Sequence, residues 1–451
     1  MTSTSAPLTS AFARAIVSSD PSKDAAAMDV ARTAIIDFLA CAIPGARDRT
    51  TGILADTVGA GLPGEAVLIG SARQTDPLVA AVVNGHAGHV LDYDDVHASV
   101  RGHPTTVIIP ALLAFAAERV FSADALVASY IVGLEAMARL GLSLGSKHYE
   151  NGFHATATLG TVGAAAAIAH LTRASIDETA VTLGLAATQS SGLRLQFGSD
   201  AKPFHAGMAA RSGLLSARLA AAGFGGVPDF LDNPVGFHSA YAFGAERLSA
   251  LTENWGSPWQ IVAPGLTLKA YPCCTASHPV ASLGIDLNRE GLSADAIEQV
   301  MFTYPPGADA ALVVSQPTNG IEARFSPEYV FAAALIDGAL RLDHFDEQPA
   351  APRLMELARR AGRRHDESAP RMSSDPRTRF VIVDILLRDG STIRRRFEGL
   401  PGITDPTEKF REATAHHPAY ADIPSLVRTM SSAADLRRLL ALLNQDVVPN
   451  F

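Results

Sequence analysis

The chain has 451 residues, more than one hydrophobic core usually serves, and 47% of them are hydrophobic against 18% charged; a folded protein of two domains is expected, not a disordered chain. A formal net charge of −9 and a pI of about 5.9, with no basic run longer than Arg394-Arg395-Arg396, argue against nucleic-acid or anionic-membrane partners. Three cysteines, two of them the neighbours Cys273 and Cys274, exclude a disulfide framework and fit a reducing compartment, the cytoplasm by default.

The N-terminal MTSTSAPLTSAFARAIVSSD reads as a short tail entering a helix, because it lacks a charged start followed by a long apolar core. No window holds ~18 purely apolar residues, so no transmembrane span is expected. In 23–43, Met28, Ala31, Ile35, Phe38 and Leu39 recur at three- and four-residue steps, one face of a helix. A second helix is predicted to open at Asp76-Pro77 and to run through PLVAAVVNGHAGHVLD. Others follow at 104–118, 123–143, 155–170 and 205–223, and Ser175 with Glu178 has the spacing of a capping box. GTVGAAAAIAH and HAGMAARSGLLSARLAAAG are rich in Ala and Gly, which predicts closely approaching helices in a bundle.

After about 265 the pattern changes. VMFTYPPG alternates, and RFVIVDILLRDGSTIRRRFEG is two β-rich runs joined at Asp389-Gly390, a strong hairpin signal. SPEYVFAAALIDGAL between them is helical, and from Asp405 onward the chain is helical again. The expected fold is mainly α: a large all-helical domain over 1–265, joined by C-terminal helices at 405–451, plus a smaller α+β lid domain over 266–404.

Chemistry concentrates in four places. The stretch 84–104 carries His86, His89, His97, His103, Asp92, Asp94 and Asp95. His86, His89 and Asp92 stand three residues apart, which suits a metal-dependent hydrolase; an acid–base site and a merely polar helix end are the other readings. Carboxylates at the C-terminal end of a helix are disfavoured and need cationic partners. His154 sits where a loop meets a helix, and the glycines around it do not form a dinucleotide fingerprint. Arg194 and Lys202 are scarce cations in an apolar neighbourhood, which asks for carboxylate partners or a bound anion. Lys269, Tyr271, Cys273, Cys274 and His278 fall at the domain junction, where small-molecule sites tend to form.

Five segments, taken in order, resemble the MmgE/PrpD family: LDYDD (91–95) followed by His103-Pro104, GFH (152–154), KPFHAG (202–207), KAYP with HP (269–279) and ARFSPEYVFAAAL (323–335). The resemblance implies a helical domain with an α+β lid, a homodimer, and no metal or organic cofactor. It also implies lyase or isomerase chemistry on a small di- or tricarboxylate. Asp92, His103, His154, Lys202 and His278 match polar groups lining the family's cleft, and Lys269 and Tyr271 lie in the matching junction motif. The loop VHASVRG differs in detail from the decarboxylase members. The expected activity is therefore that of a hydro-lyase of the 2-methylcitrate dehydratase type. An iminodisuccinate-type epimerase, a cis-aconitate-type decarboxylase and a non-catalytic binder of anionic metabolites are the alternatives. In that reading Lys202, Lys269 and Arg194 hold substrate carboxylates, His103 or His154 moves a proton beside Asp92, and His278 supplies the opposing proton.

Overall fold

The computed structural model describes residues 8–59, 61–371, 379–415 and 417–446; the N-terminal tail at 1–7 and His416 lie outside them. The fold is mainly α. The helices Ala25–Gly45, Pro77–His89, Thr105–Ala116, Ala123–Leu144, Ala155–Thr172 and Ala201–Ala221 enclose one large core, which runs in sequence from Phe12 to Ile261 and is completed by Phe410, Leu436, Leu439 and Leu443 from the C-terminal helices. The expected return of the chain end to the first unit is thus a packing fact.

Local chemistry sets the helix starts. Asp76 accepts from the amide of Leu78 at 2.8 Å with Pro77 in the first turn, satisfying an N–H that no earlier carbonyl reaches. Ser175 caps its helix through the amide of Glu178 at 3.1 Å; among the described residues only this half of the expected capping box forms. Small residues then let the bundle close. A Cβ placed on Gly207 would stand 2.2 Å from the Val82 carbonyl oxygen, and one on Gly85 would stand 2.8 Å from Cα of Gly207. The Pro77–His89 and Ala201–Ala221 helices therefore touch backbone to backbone, which carries Lys202 to the end of the first helix. Ala123–Leu144 and Ala155–Thr172 are long and apolar enough to cross a membrane, which a search for unbroken apolar runs did not find; 83% and 89% of their apolar windows are buried inside the protein.

A second core forms from 273 to 385. Its four-stranded sheet has the order Ala361–His365, Ile297–Tyr304, Phe380–Leu387, Thr392–Glu398; the first pair is parallel and the others antiparallel. The predicted turn at Asp389-Gly390 joins the last two strands, with Gly390 at φ +86°, a conformation open to glycine at no steric cost. Helices His278–Arg289 and Pro327–Asp337 pack against each other within this core, where Phe331 meets Phe302 of the sheet edge-on, ring centroids 5.4 Å apart. A short antiparallel pair, Val96–His97 with Leu266–Thr267, ties the loop after the Pro77–His89 helix to the segment that leads into the second core.

Candidate active site

The site begins where the Pro77–His89 helix ends. Asp92 has φ +50°, a left-handed conformation that costs an ordinary residue energy and turns the chain out of the helix axis. The carboxylates that follow do find the cations that a helix C-terminus requires. Arg324 donates to the Val90 carbonyl, Lys269 to the Asp92 carbonyl at 2.6 Å and Lys409 to the Tyr93 carbonyl at 2.6 Å. Three buried cations from three distant segments thus hold three carbonyls within four residues, and the turn is fixed against the negative end of the helix.

The side chains are matched in the same way. Oδ1 of Asp92 accepts from Nζ of Lys202, and Nζ of Lys269 lies 3.1 Å from that same oxygen. Burial alone would raise the Asp92 carboxyl; the two ammonium groups outweigh it and hold it far below the usual carboxylate range. Asp94 accepts from Nδ1 of His89 at 3.0 Å and lies 3.2 Å from Nδ1 of His103. Burial opposes its ionisation, and the two imidazoles beside it prevail and hold it ionised. Behind them Lys409 pairs with Asp37 at 2.7 Å and sits 3.8 Å above the Tyr93 ring. Asp95 receives a hydrogen bond from Thr105 Oγ1, which is 2.5 Å from the Tyr130 hydroxyl. Burial, reinforced by Asp37, raises the Asp95 carboxyl well above its ordinary value.

The imidazoles gather on the other side of Asp94. The ring of His89 is 4.4 Å from that of His103 and 6.0 Å from that of His154, centroid to centroid. His154 in turn places Nδ1 3.2 Å from Nδ1 of His205. Burial pushes His89 down to about 3 and lowers both His103 and His154. All three are neutral at pH 7. With Nδ1 of His103 turned to Asp94, its Nε2 is the ring nitrogen left for a ligand.

A cavity of about 280 Å³ opens onto this cluster, near the lower end of the ~300–1,000 Å³ typical of small-ligand pockets. Five expected residues line it together: Asp92, His103, His154, Lys202 and Lys269. Arg194 lines it too, but its guanidinium is committed. It donates to the carbonyls of Tyr149 at 2.8 Å and Ala310 at 2.7 Å, and stacks 3.9 Å over the Tyr149 ring. His278 and Tyr271 are not in the lining. The His278 ring is fully buried, with Nε2 3.2 Å from the Cys273 carbonyl, and packs edge-on against Tyr271. Its Nε2 thus faces the local backbone, and its Nδ1 makes no hydrogen bond among the described residues.

The trio His86, His89 and Asp92 does not assemble either. Nε2 of His86 is bonded to Thr50 Oγ1 at 2.8 Å. The grouping that does form is His89, Asp92, Asp94 and His103, with ligand atoms within 4.8 Å of one another. In it Asp92 already carries two ammonium groups, whose charges occupy the role a metal ion would take.

Sequence reasoning passed over five participants. Asp94 was read only as a charge in need of a partner. Arg324 and Lys409 gave no local signal, since their contacts span hundreds of residues. Arg101 and Arg379, both in the cavity lining, looked like ordinary surface arginines.

Residues 10–247 match the MmgE/PrpD N-terminal domain and residues 271–419 the MmgE/PrpD C-terminal domain. Among curated proteins, the chain is 28% identical over 383 residues to a cis-aconitate decarboxylase of Mus musculus, covering 80% of this chain and 76% of that one. It is 27% identical over 457 residues to a cis-aconitate decarboxylase of Aspergillus terreus, covering 93% and 92%. The enzyme of the same name from Homo sapiens is 26% identical over 382 residues, covering 80% and 77%. With both domain descriptions matched in order over most of its length, the chain belongs to the MmgE/PrpD family.

Proposed function

We propose that this chain is a cofactor-independent lyase acting on a small tricarboxylate of the cis-aconitate class. One observation carries the reading: neutral imidazoles (His103, His154) and paired ammonium groups (Lys202, Lys269) converge with Asp92 on one cavity of small-molecule size. Loss of carbon dioxide leaves an electron pair on the carbon that carried it. Loss of a C–H proton leaves the same pair. Either way the negative charge spreads into a neighbouring carboxylate or double bond, and a cation beside that carboxylate stabilises it.

The roles follow from the geometry. Lys202 spends one donor on the Asp92 carboxylate and Lys269 spends two, on the Asp92 carbonyl and carboxylate, which leaves each a donor for a substrate carboxylate. His103, whose Nδ1 faces Asp94, uses Nε2 to move a proton at the reacting carbon, and His154 serves the opposite side of the same cluster. His278 acts only by fixing the Cys273 turn that presents Cys274 to the cavity. The second unit acts as a lid over the first, and two copies pair as a symmetric dimer. Three free, buried cysteines suit a reducing compartment.

The relatives favour decarboxylation as the outcome. Dehydration is the second reading, supported by the neutral form of the imidazoles: a neutral ring is in the state that accepts a C–H proton, whereas protonating a carbanion requires a ring that has first taken up a proton. Incubation with cis-aconitate, 2-methylcitrate and iminodisuccinate, followed by product analysis, separates the outcomes. Carbon dioxide release from cis-aconitate supports the first reading, and water loss from 2-methylcitrate the second. Absence of turnover on all three acids would leave a metabolite-binding protein and contradict the proposal.

A further inference from the structure

The charges around the cavity are unevenly placed. At the catalytic cluster Asp92 and Asp94 face Lys202 and Lys269, and the imidazoles are neutral, so that end has no net charge to offer an anion. A tricarboxylate brings three negative charges. Among the described residues the lining contains six cations, Arg101, Arg194, Lys202, Lys269, Arg371 and Arg379, against the two carboxylates of Asp92 and Glu150. The surplus among these groups is therefore all guanidinium.

Two of those arginines have few partners among the described residues. Arg379 is half-buried where the chain enters the Phe380–Leu387 strand. Its side chain makes no hydrogen bond or ion pair among the described residues, and its Nε is buried without a partner. Arg101 is held at φ +56° in the 96–102 loop, and its side chain makes one long bond, 3.3 Å to the Ser146 carbonyl. Burial lowers both; Glu150 and then Tyr149 offset part of this at Arg101, while Arg379 has Tyr149 in its favour and Arg101 against it. Two like charges sharing a partly desolvated wall are costly unless an anion joins them. Guanidinium forks suit a planar carboxylate.

We infer that Arg101 and Arg379 form an anion subsite for the substrate carboxylate farthest from the reacting carbon, so that this cavity selects tricarboxylic over dicarboxylic acids of the same backbone. Arg101 belongs to a loop of the helical unit and Arg379 to a strand of the mixed unit, so the same carboxylate ties the two units together across the cavity. The inference rests on the proposed lyase reading for the identity of the ligand, but its test needs no turnover.

The test is calorimetric binding, at fixed ionic strength, of two unreactive probes: propane-1,2,3-tricarboxylate and 2-methylsuccinate, the dicarboxylate that lacks one terminal carboxylate of the same backbone. Wild-type protein binds the tricarboxylate at least about tenfold more tightly. Arg379→Gln and Arg101→Gln each weaken tricarboxylate binding by roughly 10–100-fold, the range for a lost charge-assisted contact, and change 2-methylsuccinate binding by less than about threefold. Arg379→Lys keeps part of the preference. Should Arg379→Gln fail to fold, Arg101→Gln carries the test. The inference is overturned if wild type shows no preference or binds neither probe, or if the variants weaken both acids equally. A wild-type protein that binds with this preference yet turns over none of the candidate acids sinks the lyase reading and leaves the subsite standing.

Discussion

The two ends of the cavity are built on opposite electrical rules. Around Asp92 each carboxylate is matched by an ammonium or an imidazole within 3.2 Å, and the surroundings are buried. Along the wall of Arg101 and Arg379 the cations outnumber the acids and have few protein partners. The matched end is pre-organised: its groups are fixed before a ligand arrives, so they lose little freedom during reaction. The unmatched end is poised to gain from a ligand that supplies what the fold leaves out. Chemistry and affinity are thus assigned to different ends of one small space.

The division breaks most visibly at the imidazoles. His103→Gln and His154→Gln should each lower kcat by ~10²–10⁴-fold while KM stays within a few-fold, measured on the acid that wild type turns over. A raised KM with unchanged kcat would make the matched end a binding end. Next in size is the support behind it. Lys409→Met leaves Asp37 buried and unpaired, so urea unfolding should show about 3–5 kcal/mol of lost stability. Much of that loss should return in the Asp37→Leu/Lys409→Met double variant, where no charge is stranded. Equal losses in single and double variants would mean the pair is not coupled.

Smaller effects sharpen the picture. Lys202→Met leaves Asp92 with Lys269 alone and removes a donor from the substrate; binding of the tricarboxylate probe should weaken by about 1.5–3 kcal/mol, and wild-type affinity would remove Lys202 from the site. The pH dependence comes last. Burial holds His86, His89, His97 and His148 at about 4, 3, 4 and 4 in the folded protein, against about 6.5 when unfolded. The folded chain therefore refuses protons that the unfolded chain accepts. Stability is complete above pH 6.5 and falls as the pH drops towards 4, by up to about 1.4 kcal/mol per pH unit for each such histidine. Urea midpoints that stay flat from pH 7 to pH 5 would show that these rings are not buried neutral.

Much of the fold was legible because its signals are local. Apolar spacing found the long helices, Asp76-Pro77 marked a helix start, and Asp389-Gly390 marked a hairpin. The Ala361–His365 strand was missed because AGRRH has no alternating apolar pattern; it is a strand only through its parallel pairing with Val300–Tyr304. The site divides similarly. Asp92, His103, His154, Lys202 and Lys269 stood out as polar residues in apolar or motif-like settings. Lys409 reaches Tyr93 across 316 residues, and no short-range pattern encodes that. His278 shows the opposite failure. Its neighbour Pro279 and the junction motif placed it near the cavity in sequence, while the backbone of the Cys273 turn directs the ring elsewhere.

The most direct test is proton NMR of the wild-type protein with cis-aconitate and 2-methylcitrate in deuterium oxide. The account predicts deuterium incorporated at the carbon beside a carboxylate, in substrate or product, with the signal lost in His103→Gln and His154→Gln and retained in His278→Gln where that variant folds. Unlabelled, unchanged acids with wild type, or full labelling in the His103 and His154 variants, would contradict it.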